Sequence, residues 1–199
     1  MSSLILTSDA YTSGDGALEY EAPALYFTPI NGQTGVILAD QYVYADSVYN
    51  LGAVTTSPLP LFPIAGTGSL SLAVGKYEFE CLFGLSNMSN SSGSFGFAFG
   101  GTATINPRWY AVASKAALAT AVAPQVTFNQ SAANANLATA TTSTVGFARI
   151  EGTMIISVAG TLTPQASVTV AAASNIVTGS YFKIRALGTE AQIACGNWV

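Results

Sequence analysis

From Leu70 onward, large apolar residues recur at every second position. Leu70 and Leu72 alternate with Ser69 and Ser71, and Tyr77, Phe79, Cys81, Phe83 and Leu85 then alternate with Lys76, Glu78 and Glu80 around a turn at Gly75. A period of two is the mark of a strand with one buried face, so this stretch predicts a β-hairpin. Asn87–Gly93, mostly Asn and Ser, predicts a loop, after which Phe95, Phe97 and Phe99 alternate with Gly96, Ala98 and Gly100. That strand has one bulky face and one nearly bare face, where another backbone or subunit approaches closely. Further strands are expected at Trp109–Ser114, Gln125–Asn129, Val145–Val158, Ala166–Ala171 and Ser180–Leu187, with turns at Gly160 and Pro164. Ala116–Ala123 has the composition of a single, poor helical turn.

The first third reads differently. Short extended pieces at Leu18–Tyr20, Ala24–Thr28, Val36–Leu38 and Tyr42–Tyr44 are broken by prolines at 23, 29, 58, 60 and 63. Such pieces are too short to form a sheet of their own, so residues 1–63 are expected to be an extended arm or stem closing with a linker over Thr55–Pro63. The predicted organisation is all-β: an arm over 1–63 and an antiparallel β-sandwich of jelly-roll type over 64–199.

Composition changes the picture of the surface. Six Lys/Arg and ten Asp/Glu make 8% of 199 residues, against about 25% in ordinary soluble domains, and histidine is absent. Half the chain is hydrophobic, yet the longest charge-free span, Ala116–Ala148, is interrupted by Pro, Gln, Asn, Thr and Ser, so no transmembrane helix and no membrane insertion are expected. The N-terminus lacks a basic region followed by an apolar run, so no secretory signal is expected. So little charge cannot cover a particle of this size: either Ser, Thr, Asn and Gly form the surface, or much of it is buried against copies of the chain, or both. Obligate self-association, whose interfaces are poor in charge, is the inference.

The charge is also divided. Residues 1–75 hold six acids (Asp9, Asp15, Glu19, Glu21, Asp40 and Asp46) and no base, while the bases lie singly from Lys76 to Arg185. A net charge of −4 without a basic cluster argues against a nucleic-acid partner.

Without histidine, Ser-His-Asp and Cys-His pairs and His-ligated metals are excluded. Glu78 and Glu80 share one strand face and are the one pair that could divide acid and base roles, although a solvated face explains them better. Asp9 and Asp15-Gly16 lack the alternate ligands of a calcium loop and read as a turn. The glycines between Gly93 and Gly101 lie in a phenylalanine ladder, not between strand and helix, so no phosphate site is expected. No cofactor and no metal are expected. Cys81 and Cys195 read as two buried thiols in preference to a disulfide.

Asn87, Asn90 and Asn129 open Asn-x-Ser triplets and mark polar loops. With the aromatic residues Trp109, Tyr110 and Trp198 they make the candidate surface contacts of the chain, a composition suited to sugars; core packing is the competing explanation for the three aromatics.

One resemblance covers most of the chain. The run Gly75-Lys-Tyr-Glu-Phe-Glu-Cys-Leu-Phe-Gly-Leu-Ser-Asn-Met-Ser, followed by Gly93-Ser-Phe-Gly-Phe-Ala-Phe-Gly-Gly-Thr-Ala-Thr-Ile, resembles a module of tailed-bacteriophage virion proteins found at the C-terminal end of tail-fibre-like chains. Ser114-Lys-Ala-Ala-Leu-Ala-Thr-Ala, Ala159-Gly-Thr-Leu-Thr-Pro-Gln-Ala-Ser-Val, Gly179-Ser-Tyr-Phe-Lys-Ile-Arg and Gly196-Asn-Trp-Val are similar to later parts of it. Gly16-Ala-Leu-Glu-Tyr-Glu, Leu25-Tyr-Phe-Thr-Pro and Gly35-Val-Ile-Leu are similar to the segment leading into it. The resemblance implies a non-enzymatic β-rich homotrimer located in the virion. Its expected partners are copies of itself, other virion proteins and host cell-surface glycan. The role expected from it is a fibre-type adhesion module, with a capsid decoration (cement) protein as the alternative. No catalytic or receptor-contacting residue carries over.

Overall fold

The computed structural model describes residues 18–21, 24–27, 35–37, 40–52, 55–63, 67–90, 93–116, 123–138, 143–170 and 174–189. Among these the protein is all-β, with no helix. In chain order the strands are β1 (Leu18–Glu21), β2 (Ala24–Phe27), β3 (Gly35–Ile37), β4 (Asp40–Tyr44), β5 (Tyr49–Gly52), β6 (Thr55–Pro60), β7 (Leu70–Leu72), β8 (Gly75–Ser86), β9 (Phe95–Gly100), β10 (Thr104–Ser114), β11 (Gln125–Asn129), β12 (Ala135–Ala138), β13 (Gly146–Val158), β14 (Gly160–Val168), β15 (Ser174–Ile176) and β16 (Tyr181–Gly188).

Two antiparallel sheets form a sandwich. The larger has eight strands, with the path β11-β10-β13-β8 continuing into β16-β4 and, at the far end of β8, into β15-β5. The smaller is β12-β9-β14, with β6 and β7 sharing the outer edge of β14. The pairing is nested: β4 lies on β16, β6 and β7 on β14, β8 on β13 and β9 on β12, while β10 and β11 add a hairpin beyond β13.

The alternation of β8 is realised residue by residue. Tyr77, Phe79, Cys81, Phe83 and Leu85 are buried, and their neighbours are partly exposed. From the other sheet Phe95, Phe97 and Phe99 enter the same layer. Phe79 meets Phe99 edge-on at 5.1 Å, and Phe97 meets Trp109 edge-on at 5.6 Å. Interlocked aromatic rings of this kind fix the distance between the sheets as well as burying area. Cys81 lies in this layer fully buried as a free thiol, and burial pushes its ionisation far up, so it behaves as a small apolar residue. Cys195 lies outside the described residues.

Several expectations need correction. The sandwich does not begin at residue 64: β4, β5 and β6 are strands of its two sheets, so the boundary after Pro63 falls inside it. Thr55–Pro60 is a strand, not a linker. Pro58 and Pro60 are tolerated there because β6 is an edge strand with β14 on one side only. β1, β2 and β3, expected to be too short for a sheet, pair with one another in a small three-stranded one. Residues 1–17, 22–23, 28–34, 38–39 and 53–54 of the expected arm lie outside the described residues, as does most of Ala116–Ala123, while Leu61 and Phe62 are buried in the core.

The expected hairpin at Gly75 does not form either. β7 pairs with β14 and β8 with β13 and β16, so the chain crosses between sheets there, and the Tyr77 hydroxyl donates to the Ala73 carbonyl at 2.9 Å to hold the corner. Pro164 is inside β14, not at a turn. It sits where the outer partner changes from β7, at Gly160–Leu162, to β6, at Gln165–Val168, a gap in the ladder that needs no amide donor. The bare face of β9 is approached from within the chain: a side chain at Gly96 would meet Asn134, Ala135 and Ser167, and one at Gly100 would meet Gln165.

Candidate functional site

The candidate contacts named from the sequence do not converge. Trp109 is buried and its indole donates to the Ser131 carbonyl at 3.3 Å, so it is a core residue and not a surface contact. Strand parity decides this: β10 alternates exposed and buried positions, and Trp109 takes a buried one while Tyr110 faces outward. Asn87 turns the chain after β8 with a left-handed φ of 57°, a conformation asparagine tolerates, and Asn90 is exposed in the same loop. Asn129 is registered on Trp109, away from that loop, and its side-chain oxygen accepts from the Ser131 amide at 2.9 Å in a turn. Trp198 lies outside the described residues.

Chemistry gathers elsewhere, on the outer face of the large sheet. Glu78 and Glu80 of β8, Arg149 and Glu151 of β13, and Lys183 and Arg185 of β16 each place two charges two residues apart, so all six point the same way. Register brings them side by side. One row across six strands reads Tyr42, Lys183, Glu80, Glu151, Tyr110, Phe128. The row before it reads Asp40, Arg185, Glu78, Thr153, Arg108.

The directly opposed pair Glu80 and Glu151 would repel, and Arg149 relieves this by contacting Glu80 at 3.2 Å and also pairing with Glu151. Glu80 additionally accepts from the Tyr181 hydroxyl at 2.6 Å and lies 3.3 Å from the Lys183 ammonium. Arg185 grips Asp40 side-on, Nε to Oδ1 at 2.8 Å and Nη2 to Oδ2 at 3.3 Å, while its Nε lies 3.1 Å from Glu78. The Nε contacts are charge attractions with poor alignment, and the Nη2 bond is the aligned one. Tyr110 donates to Glu151 at 2.6 Å.

This ladder floors a shallow groove of about 380 Å³. Its ionisation follows from the contacts. The hydrogen bond from Tyr181, with help from Lys183 and Arg149, holds the Glu80 carboxyl below its ordinary range against the opposing effect of burial. The same bond pushes the Tyr181 hydroxyl up to about 12. A general acid needs the opposite, a carboxyl raised toward neutrality. Among the described residues no cluster of three or more acidic, His or Cys side chains suits a metal ion. What the groove offers is a fixed array of ionised acceptors and donors on a rigid sheet.

A folded-state pKa below the unfolded one means that Glu80 stabilises the protein above its ordinary value of 4.5, and that this contribution is lost as pH falls through the lowered one. Glu80→Gln is therefore expected to cost about 1–2 kcal/mol at pH 7. The gap to wild type should close below pH 4.5 in thermal unfolding run across that range. A gap unchanged at pH 3 would show that the ladder does not act through charge.

Glu78 and Glu80 are legible in the sequence as a pair, and the signal that marks their partners is the same i, i+2 spacing in Arg149-Ile-Glu151 and Lys183-Ile-Arg185. Compared with known proteins, the chain matches no family model and no curated protein.

Proposed function

We propose that this chain is a non-enzymatic structural protein of a tailed-bacteriophage virion, acting as a homotrimeric fibre-type module that meets host cell-surface glycan. The observation that carries the self-assembling part of this reading is the outer face of the large sheet. Tyr42 and Tyr44 at one edge and Val126 and Phe128 at the other are exposed by 54–76% on a chain with 8% charged residues. Monomeric proteins rarely leave so many large apolar side chains on one face.

The nested pairing of strands supports a jelly roll, in which a long hairpin of paired strands is wound into two sheets; that architecture recurs in viral coat proteins. The ionised, mutually neutralised ladder supports a role in binding and assembly over one in catalysis. The resemblance to tail-fibre modules supplies the virion.

Cryo-electron microscopy of the particle is the direct test. Three copies per fibre at the tail are the expected result. Many copies over the head would move the protein to capsid decoration, and absence from the particle would overturn the reading.

A further inference from the structure

We infer that copies of this chain join edge to edge, β4 of one copy against β11 of the next, so that the large sheet continues from subunit to subunit. The inference rests on the self-assembly reading above and names its surface and partner: a second copy of the chain.

Both strands are edges among the described residues, β4 pairing with β16 alone and β11 with β10 alone. β4 runs in the same direction as β10, and β11 runs opposite to β10, so β4 of one copy lies antiparallel to β11 of another, as neighbours within the sheet do. The side chains at the two edges match row for row. The row that ends in Tyr42 at one edge ends in Phe128 at the other, and the row that ends in Tyr44 ends in Val126. Sliding one copy beside the next sets aromatic on aromatic and aromatic on aliphatic, pairs favoured across strands.

Charge agrees with this alignment. The β4 edge carries Asp40 and Asp46 and no base, because no base precedes Lys76. The opposite edge carries Arg108 and no acid, because the chain has none between Glu80 and Glu151. Asp40 and Arg108 end the same row. Acidic edge therefore meets basic edge, one strand in, within reach of a long arginine side chain. Neither lysine nor any other charge lies within Gln125–Asn129 to oppose pairing, the usual protection of an exposed edge.

The contact joins two different surfaces, so it repeats from copy to copy and closes into a ring or runs on as a filament. In the proposed homotrimer it closes at three.

Two exposed-face variants test this: Val126→Glu with Phe128→Glu on β11, and Tyr42→Glu with Tyr44→Glu on β4. Light scattering after gel filtration should give a trimer for the wild type and a monomer for each variant, with circular dichroism unchanged. Mixed one to one, the two monomers should form a dimer, since each keeps the edge that the other lacks. Variants that keep the wild-type mass, or a mixture that stays monomeric, would overturn the inference and leave self-assembly standing. A monomeric wild type would overturn self-assembly itself. Should either variant misfold, Tyr44→Cys with Val126→Cys in a Cys195→Ser chain gives the second measurement. Oxidative cross-links running up to a covalent trimer are expected, and their absence overturns the contact.

Discussion

Replacing Trp109 with alanine should lower the free energy of unfolding by about 4 kcal/mol, within the range found for large aromatic side chains removed from cores. Its ring is 1% exposed and meets Phe97 edge-on, so the hole left by truncation is lined by side chains already held in register and cannot collapse cheaply. Trp109→Phe should recover most of the loss, though not the hydrogen bond to the Ser131 carbonyl that ties β10 to the turn before β12. Urea denaturation of both variants measures this. A double-mutant cycle with Phe97→Leu should return a coupling of about 1 kcal/mol, the usual size of an edge-to-face pair. A cost for Trp109→Ala below about 1 kcal/mol would place the ring outside the core.

Gly152→Val should be nearly as damaging, at about 3 kcal/mol, and for the opposite reason. Gly152 stands between Phe79 on β8 and Trp109 on β10 in the same row. A Cβ there would lie 2.3 Å from the Arg108 carbonyl oxygen and 2.6 Å from the Trp109 Cβ. Those atoms belong to, or sit directly on, the backbone of a paired strand, so no rotamer change relieves the clash. Shortening Trp109 leaves its Cβ in place, so Gly152→Val should remain harmful in a Trp109→Ala background. Thermal unfolding of the single and double variants distinguishes this from simple competition for ring space, in which the second substitution would rescue the first.

Periodicity carried the centre of the fold and failed at its edges. The apolar alternation from Tyr77 to Leu85 and the three phenylalanines of β9 could be recognised as strands because one face of each is buried against the other sheet. The crossing at Gly75 could not, since a strand that hairpins and one that changes sheet have the same local pattern; only the partner differs. Prolines misled in the same way. Pro58, Pro60 and Pro164 break a central ladder, but they sit on an edge or at a gap between two partners, and neither circumstance is visible without the neighbouring strand. The site followed suit. Glu78 and Glu80 are legible as two carboxylates on one face, while the cations that pair with them arrive from β13 and β16, well away in sequence and adjacent in space.

The nested strand pairing also sets the order in which the molecule can be made. β8, at the middle of the large sheet, is flanked by β13 and β16, both translated after it, and β4 waits for β16, the last strand described. Contacts of such long sequence separation close late and make β-rich chains slow to fold, because loop entropy is spent before the contacts return it. While the later strands are still being added, β4 to β8 lack the partners they have in the finished sheets. The β4 edge is therefore the last to close: among the described residues β4 pairs with β16 alone, and it joins the large sheet only once β16 has docked.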